Sequence, residues 1–368
     1  MEFKTHHFPR TNVAVAPAIC NQRTQALNSY RWWLAGVELF TLAAAAASHG
    51  RGLTPSVCFS GRQVSQPIAM KEHVGDICDA TALGAALSGV DAVIHCASIV
   101  DSRFFADSEA MERVNVRGTS NLVESCVAQG VPYILYVSSV GATPLVRRNR
   151  LSLPFPEYVG PYGETKARAE DIVVRSNGRL LSQGKGRLRT LAIRLPPLYG
   201  ELDQIFITKC LQISKLTFNF VFSLDYGVQG MYAGNAASLT VQGIKILAAP
   251  APDDVSGKFL YAADETTHDI SLVLGPIAEA RGAHMFPFSV PSWLVLIISC
   301  LFWSFALLLS PLSQINYDSV PSPMEIVFVR RCPRYDGKEA ARKLGWKPKY
   351  SVQQAITASL DYYRNVKL

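Results

Sequence analysis

Tyr133-Ile134-Leu135-Tyr136-Val137 is a short apolar run, entered through Gln129-Gly130-Val131-Pro132 and closed by Ser138-Ser139. Glycine and proline stop the preceding segment, and a bounded run rich in aromatic and β-branched residues reads as a buried strand. Upstream, Val90-Asp91-Ala92-Val93-Ile94-His95-Cys96 reads as another. Between the two, Val114, Gly118, Leu122 and Cys126 recur at the spacing of one helical face. Downstream the pattern predicts a helix from about Tyr162 to Arg175 and a loop holding Gly184 and Gly186. A third strand follows at Leu188-Arg189-Thr190-Leu191-Ala192-Ile193. Strands that lack hairpin turns and are separated by helices pair in parallel through right-handed crossovers. The class is α/β, a doubly wound parallel sheet.

Around this centre the chain divides into residues 1–52, an atypical N-terminal segment, then 53–200, the sheet domain, and 201–368, a smaller C-terminal lobe. The first segment has no acidic residue between Phe3 and Val37 but carries Lys4, Arg10, Arg23 and Arg31. Such composition is shared with transit peptides, whereas Pro17 interrupts Val13–Ile19 and leaves no secretory apolar region. Glu38 to Ser48 reads as a helix ending at Gly50. In the last segment, Gly282 to Tyr317 holds no Asp, Glu, Lys or Arg. Its apolar centre, about residues 287–313, is bracketed by Pro291 and Pro311 and approaches the ~20 residues that cross a bilayer. A membrane-associated apolar helix is expected there. A folded tail at Lys343-Leu344-Gly345-Trp346-Lys347-Pro348 follows it. If that tail packs on the same domain, the apolar segment must leave and return on one side.

The 368 residues carry a net charge of +7, 49% hydrophobic and 18% charged residues. The positive mean hydropathy (+0.14) agrees with a membrane contact. Basic residues are scattered, and their short clusters lack interleaved aromatics, so nucleic-acid binding is excluded. Eight cysteines stand far apart with no CxxC pair, and seven histidines form no HxxxH pair. No metal site and no disulfide framework are expected.

The chemistry concentrates at Tyr162-Gly163-Glu164-Thr165-Lys166. Four residues apart, Tyr162 and Lys166 share one helical face. A phenol titrates near ~10, and a neighbouring ammonium favours its ionised form. Such a pair can exchange the proton of a substrate hydroxyl while a hydride moves. Ser138 and Ser139 end a strand, at the carboxyl edge where open α/β sheets place their sites. Ser139 is the candidate that holds the reacting oxygen, with Ser138 beside it. Arg194-Leu195-Pro196-Pro197-Leu198-Tyr199-Gly200 leaves the next strand at the same edge.

In order along the chain come Gly75-Asp76-Ile77, Asp91 to Ala97, Val114-Asn115-Val116-Arg117-Gly118-Thr119, Tyr136 to Ser139, Tyr162 to Lys166 and Arg194 to Gly200. This layout resembles the extended short-chain dehydrogenases. Val123-Glu124-Ser125-Cys126, Met231-Tyr232-Ala233-Gly234-Asn235 and the late apolar segment make the chain most similar to the 3β-hydroxysteroid dehydrogenase/isomerase family over about residues 53–360. The resemblance implies a Rossmann-like dinucleotide domain and a substrate lobe. It implies oxidation of a 3β-hydroxyl on a steroid or sterol-like substrate with NAD, or NADP, through Ser139, Tyr162 and Lys166. Asp76 and Ile77 would flank the adenine, and Cys96 and Ala97 would lie under the cofactor. Tyr162, Lys166 and Pro196 would also face the cofactor, and Asn115 would brace the active-site helix. An endoplasmic-reticulum membrane, or a mitochondrial one, and a homodimer are further implications.

The family opens with a GxxGxxG loop that lets the backbone approach the pyrophosphate. Here residues 1–52 contain only Gly36, Gly50 and Gly52, and Asn21 to Trp33 is bulky and polar. Val57-Cys58-Phe59-Ser60 reads as the second strand, with Ser60 where an acidic residue would grip the ribose. The alternative is therefore a catalytically impaired, membrane-attached binding protein, or a variant isoform lacking the phosphate loop. A nucleotide-sugar epimerase or flavonoid-type reductase would share the Ser-Tyr-Lys core.

Overall fold

The computed structural model describes residues 11–16, 53–57, 73, 75–102, 106–145, 157–158, 160–203, 205–250, 252, 254–265, 270–309, 321–331 and 334–368. The stretches assigned above to the Glu38 helix, to the glycine-loop region and to Ser60 lie outside the described residues. Six strands form one sheet: β1 (Thr11–Ala16), β2 (Leu53–Val57), β3 (Ala92–His95), β4 (Tyr133–Ser139), β5 (Arg189–Leu195) and β6 (Lys258–Tyr261). Their order is β2-β1-β3-β4-β5-β6, and every pairing is parallel. The three strands expected at the centre are present. Thr11–Ala16 supplies a further one from within residues 1–52, pairing β2 on one side and β3 on the other.

Alternation along the strands builds two layers, because successive side chains point to opposite faces. Val93, Ile134, Tyr136 and Ala192 face α1 (Ala80–Ala86), α2 (Thr119–Gln129) and α3 (Gly160–Arg175) in one core cluster. Ala92, Ile94, Leu135, Leu191 and Ile193 face the opposite layer. Asp79 caps α1, its Oδ1 accepting from the backbone of Thr81 at 2.8 Å and Ala82 at 3.2 Å. Before α2 the helix widens to a π-helical stretch, Glu112–Gly118. Gly130, at φ 71°, ends α2 in the left-handed conformation that a residue with a Cβ resists.

The second lobe holds α4 (Ile207–Leu216), α6 (Ser271–Glu279) and α10 (Val352–Asn365) around a third cluster centred on Tyr199, Tyr232 and Tyr363. Between α4 and α6, α5 (Ala233–Leu247) covers the sheet.

The late apolar run forms α7 (Ser292–Leu309), followed by α8 (Pro323–Arg331) and α9 (Lys338–Leu344). Ser299 and Trp303 on α7 are buried, and Ser299 Oγ donates to Pro321 O at 2.7 Å. Trp293, Ile298, Leu301, Phe305 and Leu308 stand exposed. Beyond α8 the chain returns to the sheet. Ala340, Leu344 and Trp346 join the same cluster as β5, and Trp346 Nε1 donates to Ser238 Oγ at 2.9 Å. Among the described residues no helix is long and apolar enough to cross a membrane, so the expected transmembrane helix is not found. Hydropathy along one dimension could not register that one face of this helix packs on protein.

Candidate active site

The sheet register assembles the site. His95 pairs with Tyr136, Ser138 with Arg194 and Ser139 with Leu195. Cys96, Ser139 and Pro196 therefore leave neighbouring strands at one carboxyl edge, where ligands meet open α/β sheets. Helix α3 lies over that edge and brings in Tyr162 and Lys166.

Ser139 stands beside the Tyr162 phenol, close enough to draw its titration downward. Ser139 Oγ also accepts from the backbone N–H of Gly141 at 3.0 Å. A Cβ at Gly141 would come within 3.3 Å of Ser139 Oγ and 3.6 Å of the Tyr162 ring, so a glycine permits this close approach. Lys166, buried at 2% exposure, donates from Nζ to Val137 O at 2.8 Å. Its Nζ also sits over the Tyr136 ring, 4.2 Å from the centroid. The three residues expected to carry the chemistry thus converge.

Their electrostatics differ from the expectation in one respect. Tyr162 titrates above its ordinary 10 because burial disfavours the phenolate, while Ser139 pulls it back down. Lys166, expected to depress that phenol, is turned to a backbone carbonyl. Burial pushes its ammonium from 10.5 down to about 7, against the raising influence of Cys96 and Glu170. The Cys96 thiol is raised to about 12 by burial, with Lys166 acting the other way.

Asn115 ties the site together. Its Oδ1 accepts from Ile99 N at 2.7 Å, and its Nδ2 donates to Ile99 O at 3.0 Å and to Thr165 Oγ1 at 3.1 Å. The loop leaving β3 is thereby fixed to the helix that bears Tyr162.

The remaining candidates are distributed more widely. Asp76 Oδ2 pairs with Arg113 at 3.0 Å, and its Oδ1 accepts from Cys78 N at 2.9 Å. Ile77 and Ala97 are buried together in the α1–α3 layer. Cys96 is half-buried within the field of Lys166, and Pro196 is buried after β5. Local patterns missed the pairing of Glu170 with Arg194, although Glu170 continues the four-residue spacing of Tyr162 and Lys166. Among the described residues no cluster of His, Cys, Asp and Glu could hold a metal ion.

The sequence pattern defining the 3-beta hydroxysteroid dehydrogenase/isomerase family matches residues 60–283. The chain belongs to that family. A relative, the 3 beta-hydroxysteroid dehydrogenase type 7 of Mus musculus, is 28% identical over 313 residues, covering 80% of this chain and 82% of the relative. Solved structures share the dehydrogenase fold at lower identity. The crystal structure of gox2253 matches with a TM-score of 0.65 and 18% identity, covering 97% of this chain and 98% of the other. The UDP-glucose 4-epimerase of Thermus thermophilus, in complex with NAD, matches with a TM-score of 0.61 and 17% identity over 97% and 100%.

Proposed function

We propose that this chain oxidises the 3β-hydroxyl of a steroid or sterol-like substrate with NAD or NADP, using Ser139, Tyr162 and Lys166. The convergence of those three side chains at one sheet edge supports the reading, together with membership of the hydroxysteroid dehydrogenase family. Similarity to an epimerase whose structure was solved with NAD supports the same cofactor class.

The residues present fit the nicotinamide-ribose half of the cofactor. An ammonium has three donors; Lys166 gives one to Val137 O, leaving two for ribose hydroxyls beside Tyr162. Cys96 and Pro196 follow the strands on either side of β4; Cys96 and Ala97 are assigned to the space under the cofactor, and Asp76 and Ile77 to the adenine. When bound, the dinucleotide supplies the hydride acceptor. In its phenolate form Tyr162 accepts the proton of the substrate hydroxyl and becomes the neutral phenol, and Ser139 Oγ holds the same substrate oxygen in line. Asn115, through Thr165, keeps the helix from drifting away from the edge.

The test measures dinucleotide binding and the appearance of reduced cofactor with a 3β-hydroxysteroid. Micromolar binding with turnover is expected, and Tyr162→Phe lowers kcat by roughly 10²–10⁴-fold. No binding of NAD or NADP up to millimolar concentrations overturns the enzyme in favour of a non-catalytic binding protein.

We further infer that the exposed side of α7 rests on a membrane surface, of the endoplasmic reticulum or a mitochondrion, without crossing it. Leu301 at 67%, Phe305 at 59% and Leu308 at 73% exposure form an apolar strip with no acidic or basic neighbour on the helix. The opposite side, through Ser299 and Trp303, is held on protein, so only one apolar side is free to meet lipid. In flotation with phosphatidylcholine vesicles the intact chain rises with lipid, and L301S/F305S/L308S stays below. Equal flotation of both removes α7 as the contact.

A further inference from the structure

Tyr162, Lys166 and Glu170 follow one another at four-residue intervals on α3. Glu170 is 4% and Lys166 2% exposed, so the face toward the sheet carries two buried ionisable groups in succession. Opposite Glu170 stands Arg194, near the end of β5 and 8% exposed. Its Nε donates to Glu170 Oε1 at 3.2 Å and Oε2 at 2.9 Å, and its Nη2 donates to Oε1 at 2.6 Å. The Nη1 group donates to Tyr261 Oη at 2.7 Å and to Thr143 Oγ1 at 3.2 Å. The Phe259 ring covers the guanidinium, with its centroid 3.8 Å away.

One planar cation therefore links the helix of Tyr162 and Lys166, the turn that follows Ser139 and the strand that leads to Pro196. Glu170 belongs to the helix of Tyr162 and Lys166. Thr143 follows Ser139 in the chain, and Arg194 itself stands two residues before Pro196. A fork with fixed donor directions holds such elements in register where a flexible ammonium would not. Buried ion pairs are poor devices for stability alone, because the desolvation of two charges offsets their attraction. Stability is thus a weak reason for these residues to be ionic.

We propose that Glu170 and Arg194 are a positioning pair that fixes the place and the electrostatic field of the Lys166 ammonium. The assignment rests on the dehydrogenase reading, in which Lys166 serves Tyr162 and the ribose. Glu170 acts on Lys166 as an anion from the same helix, and Arg194 limits that field by compensating the carboxylate. The other groups facing Lys166 are Cys96 after β3 and the Tyr136 ring on β4. Charged groups on the neighbouring helical elements are paired away from it: Glu112 with Arg168, and Glu124 with Arg179. The field at Lys166 is therefore sensitive to the balance between Glu170 and Arg194, and the two must act with opposite sign.

The test follows the Lys166 titration in the full-length, cofactor-free protein by NMR of labelled lysine, with the signal assigned by its loss in K166M. In E170Q the midpoint falls by roughly one pH unit, the size expected on losing a nearby opposite charge. In R194Q it rises, because the carboxylate is no longer compensated, and E170Q/R194Q returns toward the parent value. E170D and R194K keep both charges and tolerate burial better. They move the midpoint with the same opposite signs at smaller size, so the test survives if the neutral variants do not fold. In turnover at neutral pH, E170Q lowers kcat and leaves the KM for steroid unchanged. Midpoints that do not move, or that move together in both single variants, overturn the positioning role. A parent protein without turnover but with opposite midpoint shifts overturns the dehydrogenase reading instead.

Discussion

Lys166 is held in an environment that disfavours its charge, and this has a thermodynamic consequence. Its proton is lost at about 7 in the folded chain and at the ordinary 10.5 in the unfolded one. Between those values the unfolded chain binds the extra proton, so stability rises with pH across that window. Below about 7 the folded state bears the full cost of burying the ammonium. Lys166→Met is expected to raise Tm most at pH 6, with the gain shrinking as pH approaches 10. A difference that is the same at both ends would mean that packing, and not charge burial, governs the site. Tyr162, Lys166 and Ser139 were legible from the sequence, because helical spacing and a strand end are local features. The Arg194–Glu170 pair was not, because its partners lie 24 positions apart and meet only when β5 and α3 pack.

At the scale of elements, the π-helical stretch Glu112–Gly118 aims Asn115 between two other segments. Asn115 is fully buried, and its amide satisfies both backbone groups of Ile99. Asn115→Ala leaves the half-buried N–H and C=O of Ile99 without their side-chain partner, at about 1–3 kcal/mol for such a group. Urea unfolding is expected to show a loss of about 2–3 kcal/mol, with kcat falling as the α3 tether is released. A change below ~0.5 kcal/mol, the range of ordinary surface substitutions, would mean that Asn115 is not a brace. The helix itself was legible from its repeating apolar positions. Its wider turn was not, since a π-helical insertion shifts hydrogen bonds without altering the residue pattern that marks a helix.

For the whole molecule, the return of the chain after α7 decides the architecture. Trp346, 7% exposed, sits in the sheet's second core layer and donates to Ser238. Trp346→Ala is expected to cost about 3–5 kcal/mol, the usual loss for truncating a buried tryptophan. Thermal melts check this, and a negligible shift would detach the tail from the sheet and reopen the path of α7. The sequence by itself determined the parallel α/β class, the order of strands and helices from Val90 to Ile193, and the choice of Ser139, Tyr162 and Lys166 as candidates. Each of these is written in short-range periodicity. Only the tertiary structure decided that Thr11–Ala16 belongs to the sheet, that one guanidinium joins α3 to β5, and that α7 buries one face and bares the other. These depend on which distant segments share a boundary, and burial is a property of that boundary rather than of any one stretch of chain.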